Sequence, residues 1–198
     1  MTASRNSGLL NYRLSLLGKV PASYLYPPAS MTIIETERLI VHKLGTVDSS
    51  FIVELVNSPG WLEFIGDRGI KTLADAENYI VNGPMASYQK NGFGLYRLVL
   101  KPTGISIGMC GLIKRDTLEH PDIGFALLPS YTGKGYALEA ASVILQYERE
   151  TLGIKKIAAI TLEKNHRSIQ LLAKLGLVFE KKIKFEGKEE ELMLFCTP

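Results

Sequence analysis

The sequence predicts one mixed α+β domain. Of its 198 residues, 46% are apolar and 22% are charged, which is the balance of an ordinary globular chain. Short apolar runs bounded by glycine or proline predict strands along most of the chain. Two segments late in the chain have helical spacing, and each directly follows a strand. We therefore expect two crossover helices packed on a partly parallel sheet.

The predicted elements follow one another without a long linker after residue 31. Seven segments are predicted as strands, and these are residues 38–44, 93–100, 105–114, 122–128, 156–162, 178–185 and 190–196. An early helix is predicted over residues 47–57. A second is predicted from Thr72 to a stop at Gly83 and Pro84, with one or two further turns after it. The two late helices are predicted to end near residues 152 and 175, where glycines follow.

Residues 1–30 differ in composition from the rest of the chain. They contain Arg5, Arg13 and Lys19 but no acidic residue. We expect residues 1–30 to be an N-terminal extension and residues 31–198 to be the domain. A loose tail implies a cytoplasmic protein, whereas a mitochondrial transit peptide is the alternative. A stretch upstream of a second start at Met31 would have the same composition.

Several classes of partner find no support in the composition. A formal net charge of +3 with no evident basic face gives no reason to expect nucleic acid. No apolar run approaches the roughly 20 residues of a membrane helix. Cys110 and Cys196 form no Cys-x-x-Cys pair, so we expect reduced thiols in an intracellular protein. The three histidines lack metal-ligand spacing, and no metal is expected.

A glycine turn precedes the first late helix. Gly133 and Gly135 flank Lys134, and an apolar helix follows. A Walker loop is excluded because Gly135 stands where a Ser or Thr must bind magnesium. A dinucleotide fingerprint is excluded because Leu138 replaces its third glycine. Glycines at these positions allow a ligand to approach the backbone, and the amides of the first helical turn favour a diphosphate. A simple tight turn is the alternative.

The second late helix begins with Asn165-His-Arg-Ser168. Asn165 is a good N-cap residue, and its amide is also suited to a ligand that carries peptide-like groups. Two strands therefore each lead into a helix beside a candidate ligand site.

Together these two helix starts resemble the GCN5-related N-acetyltransferase (GNAT) superfamily, and most of all its branch of ribosomal-protein N-terminal acetyltransferases. The family's diphosphate motif is Gln or Arg, two residues, Gly, one residue, then Gly or Ala; here it is Thr132-Gly-Lys-Gly-Tyr-Ala137. The branch's run Gly-Lys-Gly-Tyr-Ala-x-Glu-Ala is complete from Gly133 to Ala140. Further matches are Asn165 to Ser168, Lys174 to Leu177, Glu35 to Ile40 and Ile107 to Leu112.

Three positions depart from the pattern. Thr132 replaces the Gln or Arg of the first motif, and Leu177 replaces a phenylalanine. Leu172 stands where many members use a tyrosine as general acid toward the departing thiolate. Ser168 is then the remaining candidate for that proton donor on this helix.

The resemblance implies the GNAT acyl-CoA N-acyltransferase fold. This fold has a central, mixed, mostly antiparallel seven-stranded sheet with helices on both faces, splayed between its fourth and fifth strands. The resemblance also implies acetyl-CoA as co-substrate. The implied binding residues are Phe125, Ala126 and Leu127 for pantetheine, Thr132, Gly133, Lys134, Gly135, Tyr136 and Ala137 for the diphosphate, and Asn165 and Ser168 near the thioester.

The implied activity is transfer of the acetyl group to a primary amine by direct attack in a ternary complex. Glu119 and Asp122 are the candidate general bases, the amide of Leu127 would stabilise the oxyanion, and Ser168 would protonate the thiolate. The acceptor, a small amine or a protein N-terminus, is expected near residues 61–68. A catalytically silent acyl-CoA-binding module and a nucleotide-phosphate enzyme are the alternatives.

Overall fold

The computed structural model describes residues 32–185 and 190–198. Its centre is one mixed sheet of eight strands in the order β1-β2-β3-β4-β5-β6-β8-β7. The strands are β1 Thr32–Glu35, β2 Leu39–Lys43, β3 Leu95–Leu100, β4 Ile105–Ile113, β5 Asp122–Leu127, β6 Ala158–Thr161, β7 Val178–Ile183 and β8 Leu192–Cys196.

Six α-helices of the described residues lie on the two faces of this sheet. They are α1 Ser49–Val56, α2 Pro59–Phe64, α3 Leu73–Ile80, α4 Ala86–Asn91, α5 Tyr136–Leu152 and α6 His166–Lys174. Side chains of α1, α2 and α3 form one core with Met109 and Leu128. Side chains of α5 and α6 form a second core with β2, β3 and β4 on the opposite face. The predicted fold class, with helices on both faces of a mixed sheet, is confirmed.

Two short elements were not predicted. The sheet has eight strands rather than seven because Thr32–Glu35 pairs antiparallel with β2. Pro59–Phe64 forms a helix where Ser58, Pro59 and Gly60 predicted only a stop. Proline is favourable in the first turn of a helix because the amide it lacks would have no partner there. Both elements are too short to show a period in the sequence.

The predicted stop at Pro84 is also wrong. The chain continues from α3 through a π-helical segment, Val81–Met85, directly into α4. A π-turn accommodates Pro84 because wider spacing of the hydrogen bonds removes the need for the amide that proline lacks.

The sheet opens between β5 and β6. These two strands are parallel, and their register contains one pair, Asp122 with Ala158. All other neighbouring strands pair antiparallel over three or more positions. The predicted splay between residues 122–128 and 156–162 is therefore present, and it widens toward the carboxyl ends of both strands.

Two buried carboxyl groups lie away from this opening. Asp48, before α1, forms an ion pair with Arg97 of β3 at 2.7 Å, and both side chains are almost fully buried. Glu148 of α5 is fully buried and accepts a hydrogen bond of 2.8 Å from the hydroxyl of Tyr96. Its second oxygen has no hydrogen-bond partner among the described residues.

The predicted N-terminal extension lies outside the described residues, as does the turn at residues 186–189. Within the described ranges, none of the helices combines the length and apolar character needed to cross a bilayer.

Candidate active site

The main chain of β5 alternates between two directions. The amide of Leu128 donates to the carbonyl of Ile107 in β4 at 2.9 Å, and on the other side Ala158 donates to the carbonyl of Pro121 at 2.9 Å. Because successive strand residues direct their main-chain groups to opposite neighbours, Ala126 faces β4, whereas Phe125 and Leu127 face the gap. Of the three predicted pantetheine partners, Phe125 and Leu127 thus have main-chain groups directed at the opening.

A close approach of β4 and β5 supports this assignment. Gly108 lies opposite Leu127. A Cβ added at Gly108 would overlap the carbonyl oxygen of Ala126, so that oxygen is directed toward β4. Glycine is required at this position because the two backbones leave no room for a side chain.

The glycine turn connects β5 to α5. Gly133 and Gly135 have positive φ angles of 73° and 84°, and Gly135 is the N-cap residue of α5. Tyr136 and Ala137 are the first two residues of the helix, so their amides have no earlier helical carbonyl to which they could donate. A Cβ at Gly133 would meet nothing within 4 Å. The turn thus presents main-chain donors at the positive end of a 17-residue helix.

The side chains of Thr132 and Lys134 have other partners near this turn. The hydroxyl of Thr132 donates to the carbonyl of Pro129 at 2.9 Å, which commits it to the turn itself. Lys134 is exposed, and its ammonium lies 5.7 Å from the centre of the Tyr131 ring.

A cluster that was not predicted as part of the site holds the turn from the side. Arg38, just before β2, donates from Nε to Glu139 at 2.6 Å and from Nη1 to the carbonyl of Lys134 at 3.1 Å. Its guanidinium also lies 4.5 Å from the centre of the Tyr136 ring. The hydroxyl of Thr36 donates to the same carboxylate. Burial opposes ionisation of Glu139, but these hydrogen bonds outweigh it and lower the pKa of Glu139.

The second helix start follows β6. The side-chain oxygen of Asn165 accepts from the amide of Ser168 at 3.1 Å, so the predicted N-cap is confirmed. This leaves the side-chain NH₂ of Asn165 as the group that could donate to a ligand. Ser168 is largely buried in the first turn of α6. Leu172 belongs to the core and is 1% exposed, so its side chain contributes packing. Many members of the family that the sequence resembles have a tyrosine that acts as general acid at this position.

The two candidate bases have opposite environments. The side chain of Glu119 is 87% exposed, and its carboxylate lies 3.6 Å from Nε2 of His120. The side chain of Asp122 is 2% exposed and accepts from Nε of Arg115 at 2.8 Å. Burial raises the pKa of Asp122, and Arg115 only partly offsets this. Asp122 is shielded from any acceptor in this conformation, whereas Glu119 is open to one.

Trp61, in the segment expected to line the acceptor site, belongs to the core between α1, α3 and the sheet. Its neighbours Leu62 and Ile65 are exposed. Within the described part of the chain, no group of three or more histidine, cysteine or acidic side chains could hold a metal ion.

A mixed sheet that opens between two parallel strands, each leading into a helix, defines the class of N-acyltransferase folds. A family profile described as "Acetyltransferase (GNAT) domain" matches residues 38–178. That match covers most of the chain, and the chain therefore belongs to the GNAT acetyltransferase family.

Individual relatives agree with this. The chain is 26% identical over 146 residues to the uncharacterized N-acetyltransferase YoaA of Bacillus subtilis, a match that covers 73% of this chain and 81% of the relative. Among solved structures, a ribosomal-protein-S5-alanine acetyltransferase from Vibrio fischeri superposes with a TM-score of 0.70 at 20% identity, covering 83% of this chain and 94% of that one.

A second solved structure is the microcin C7 self-immunity acetyltransferase MccE in complex with acetyl-CoA and AMP. It superposes with a TM-score of 0.73 at 14% identity and covers 88% of this chain and 98% of that chain. At these identities, the two structures show a common fold.

Proposed function

We propose that the protein transfers the acetyl group of acetyl-CoA to a primary amine by direct attack within a ternary complex. The observation that carries this proposal is the opening between β5 and β6, which pair only at Asp122 and Ala158. Main-chain groups of Phe125 and Leu127 line one side of it. The glycine turn follows β5 and the asparagine-capped helix follows β6, at the end where the gap is widest.

The residues present fit acetyl-CoA. An extended amide-containing arm can pair with Phe125 and Leu127 as an added strand does, because both offer free main-chain donors and acceptors. The amides of Gly133 to Ala137 suit a diphosphate, and Asn165 offers its side-chain NH₂ near the other end of the arm. Acetyl-CoA supplies the acetyl group as an activated thioester when it is bound.

Three residues of the chain then stabilise charge or transfer protons. The amide of Leu127, directed into the opening, stabilises negative charge that develops on the carbonyl oxygen. Glu119 accepts a proton from the attacking amine through solvent, because its exposed carboxylate is accessible and Asp122 is held by Arg115. Ser168 donates a proton to the leaving thiolate, directly or through water.

A silent acyl-CoA-binding module is the second candidate, and one observation favours it. Leu172 is buried in the core, so the tyrosine acid found in many members by resemblance is absent at this position. Both candidates bind acetyl-CoA, and only the first releases thiol from it.

The decisive experiment measures acceptor-dependent thiol release from acetyl-CoA across a panel of polyamines, lysine derivatives and short peptides with free N-termini. The test variant is Gly135→Glu, which places a carboxylate at the turn. The matched control is Gly153→Glu at the other end of α5, where φ is 66° and a Cβ would meet nothing within 4 Å. Both variants impose left-handed strain of about 1–2 kcal/mol.

We expect thiol release by the wild-type protein and by Gly153→Glu, and none by Gly135→Glu. Tight acetyl-CoA binding by calorimetry without turnover for any acceptor would favour the silent module. Absence of acetyl-CoA binding by the wild-type protein would refute both.

A further inference from the structure

Arg38 reaches the glycine turn from the far end of the domain sequence. Its guanidinium bridges the carboxylate of Glu139, with Nη2 at 2.6 Å, and the carbonyl of Lys134, with Nη1 at 3.1 Å. Nη2 also lies 3.3 Å from the position that a Cβ on Gly135 would occupy. The side chain is still 40% exposed, so part of the guanidinium remains accessible beside the turn.

The helix dipole of α5 explains the acidic side chain at this turn but not the basic one. An acidic residue in the first turn, here Glu139, already complements the positive end of α5, whereas a cation there is unfavourable. Arg38 nevertheless lies at this end of the helix. A bound anion beside the turn, in addition to the carboxylate of Glu139, would account for the position of Arg38. Without Arg38, the carboxylate of Glu139 would repel that anion.

The side chain at the start of the turn does not supply such a cation. Thr132 is neutral, and its hydroxyl is bound to the carbonyl of Pro129. Arg38, which is remote in sequence, is the residue that places a positive group against the backbone of Lys134 and Gly135.

We propose that Arg38 is a positioning residue for the diphosphate of acetyl-CoA. It fixes the turn through the Lys134 carbonyl and neutralises the charge of Glu139 next to the bound anion. This inference rests on the proposed function, since it assigns a residue to the same co-substrate site.

The test compares the dissociation constant of acetyl-CoA, measured by calorimetry, for three variants and the wild-type protein. Arg38→Gln is expected to weaken binding about tenfold, the value of a lost charge-assisted interaction. The double variant Arg38→Gln with Glu139→Gln is expected to recover a part of this loss, because it removes the uncompensated carboxylate. Lys101→Gln is the matched control, since Lys101 pairs with Glu35 at 3.0 Å and does not contact the turn.

Thermal unfolding without ligand accompanies each measurement. With an active acceptor in hand, Arg38→Gln is expected to raise KM for acetyl-CoA and to leave kcat within about twofold, because the group acts on binding. A merely structural role would lower Tm without recovery of affinity in the double variant.

The inference is overturned if Arg38→Gln binds acetyl-CoA as tightly as the wild type, or if Lys101→Gln loses as much affinity. It is also overturned if the double variant binds no better than Arg38→Gln. If the wild-type protein itself does not bind acetyl-CoA, the proposed function fails with it. These outcomes are distinguishable because the wild-type titration is read first.

Discussion

Replacement of Gly108 by alanine tests the role of β5 by a change on its β4 side, opposite the gap. Gly108 lies in β4 opposite Leu127, on the side of β5 that faces away from the gap. An added Cβ would overlap the carbonyl oxygen of Ala126 and would lie 2.9 Å from Cα of Leu127. Ordinary contacts of a Cβ begin at 3.4 Å, so β5 must move into the gap.

The displacement and its cost can be worked from these distances. The Cα of Leu127 must move by at least about 0.5 Å, and the overlapped carbonyl of Ala126 must move further. Overpacking of this kind costs about 1–3 kcal/mol. For a chain of this size we expect Tm to fall by roughly 2–4 °C per kcal/mol. Displacement of the main-chain groups that we propose bind pantetheine should also raise KM for acetyl-CoA about tenfold and lower kcat by up to about a hundredfold.

Gly111→Ala in the same strand is the matched control. Its Cβ would overlap the carbonyl oxygen of Gly94 and lie 2.9 Å from Cα of Leu95, which pushes on β3, away from the gap. We expect a similar fall in Tm with KM for acetyl-CoA within about twofold of the wild-type value. The assay is thiol release at varied acetyl-CoA, below the lowest Tm. Equal effects of the two variants on KM would refute the assignment of β5 to pantetheine binding.

Three further predictions concern stability. Asp48→Asn should destabilise the fold by about 3–5 kcal/mol in denaturant unfolding, because it leaves the charge of Arg97 buried and unpaired. Glu148→Gln should flatten the pH dependence of Tm: burial raises the pKa of Glu148, partly offset by the hydrogen bond from Tyr96. The wild-type protein then gains stability below the ordinary carboxyl pKa of about 4.3 and loses it as pH rises toward the raised folded value. Thr72→Ala should cost about 1 kcal/mol by removing the hydrogen bond that caps α3.

A specific result would contradict each of these three predictions. A double variant that replaces Asp48 and Arg97 with apolar residues should lose less stability than Asp48→Asn, and a larger loss would contradict the unpaired-charge explanation. Parallel Tm curves for Glu148→Gln and the wild type between pH 4 and 8 would show that Glu148 does not titrate differently on folding. An unchanged unfolding midpoint for Thr72→Ala would show that the cap contributes nothing measurable.

Local signals account for the parts of the fold that the sequence predicted well. Thr72 and Asn165 cap the helices they were expected to cap, because a capping side chain and the amide it binds lie within three residues of one another. Pro84 misled the prediction because the same local rule ignores how a π-turn absorbs a proline inside a longer helix. Strand β1 was not predicted because its pairing with β2, rather than its own four residues, determines its conformation.

The site shows the same division. The glycine turn was predictable because its conformation depends on two glycines separated by a single residue. The role of Arg38 was not, because its partner Glu139 is 101 residues away along the chain. A signal was nonetheless present, because two of the motifs that carried the resemblance contain the two partners: Arg38 lies in Glu35 to Ile40, and Glu139 lies in Gly133 to Ala140. Opposite charges of this kind in two motifs are candidates for a long-range pair.

The opening between β5 and β6 gives this sheet two internal edges in addition to its outer ones. Unpaired strand edges are the places where sheets recruit other chains, so an empty opening carries an aggregation risk that an occupied one would reduce. An occupant that pairs with β5 would close that edge, and ligand at a hundred times its dissociation constant would add about 2.7 kcal/mol to the folded state. The supply of co-substrate in the cell would then govern how long the protein persists, as well as how fast it works.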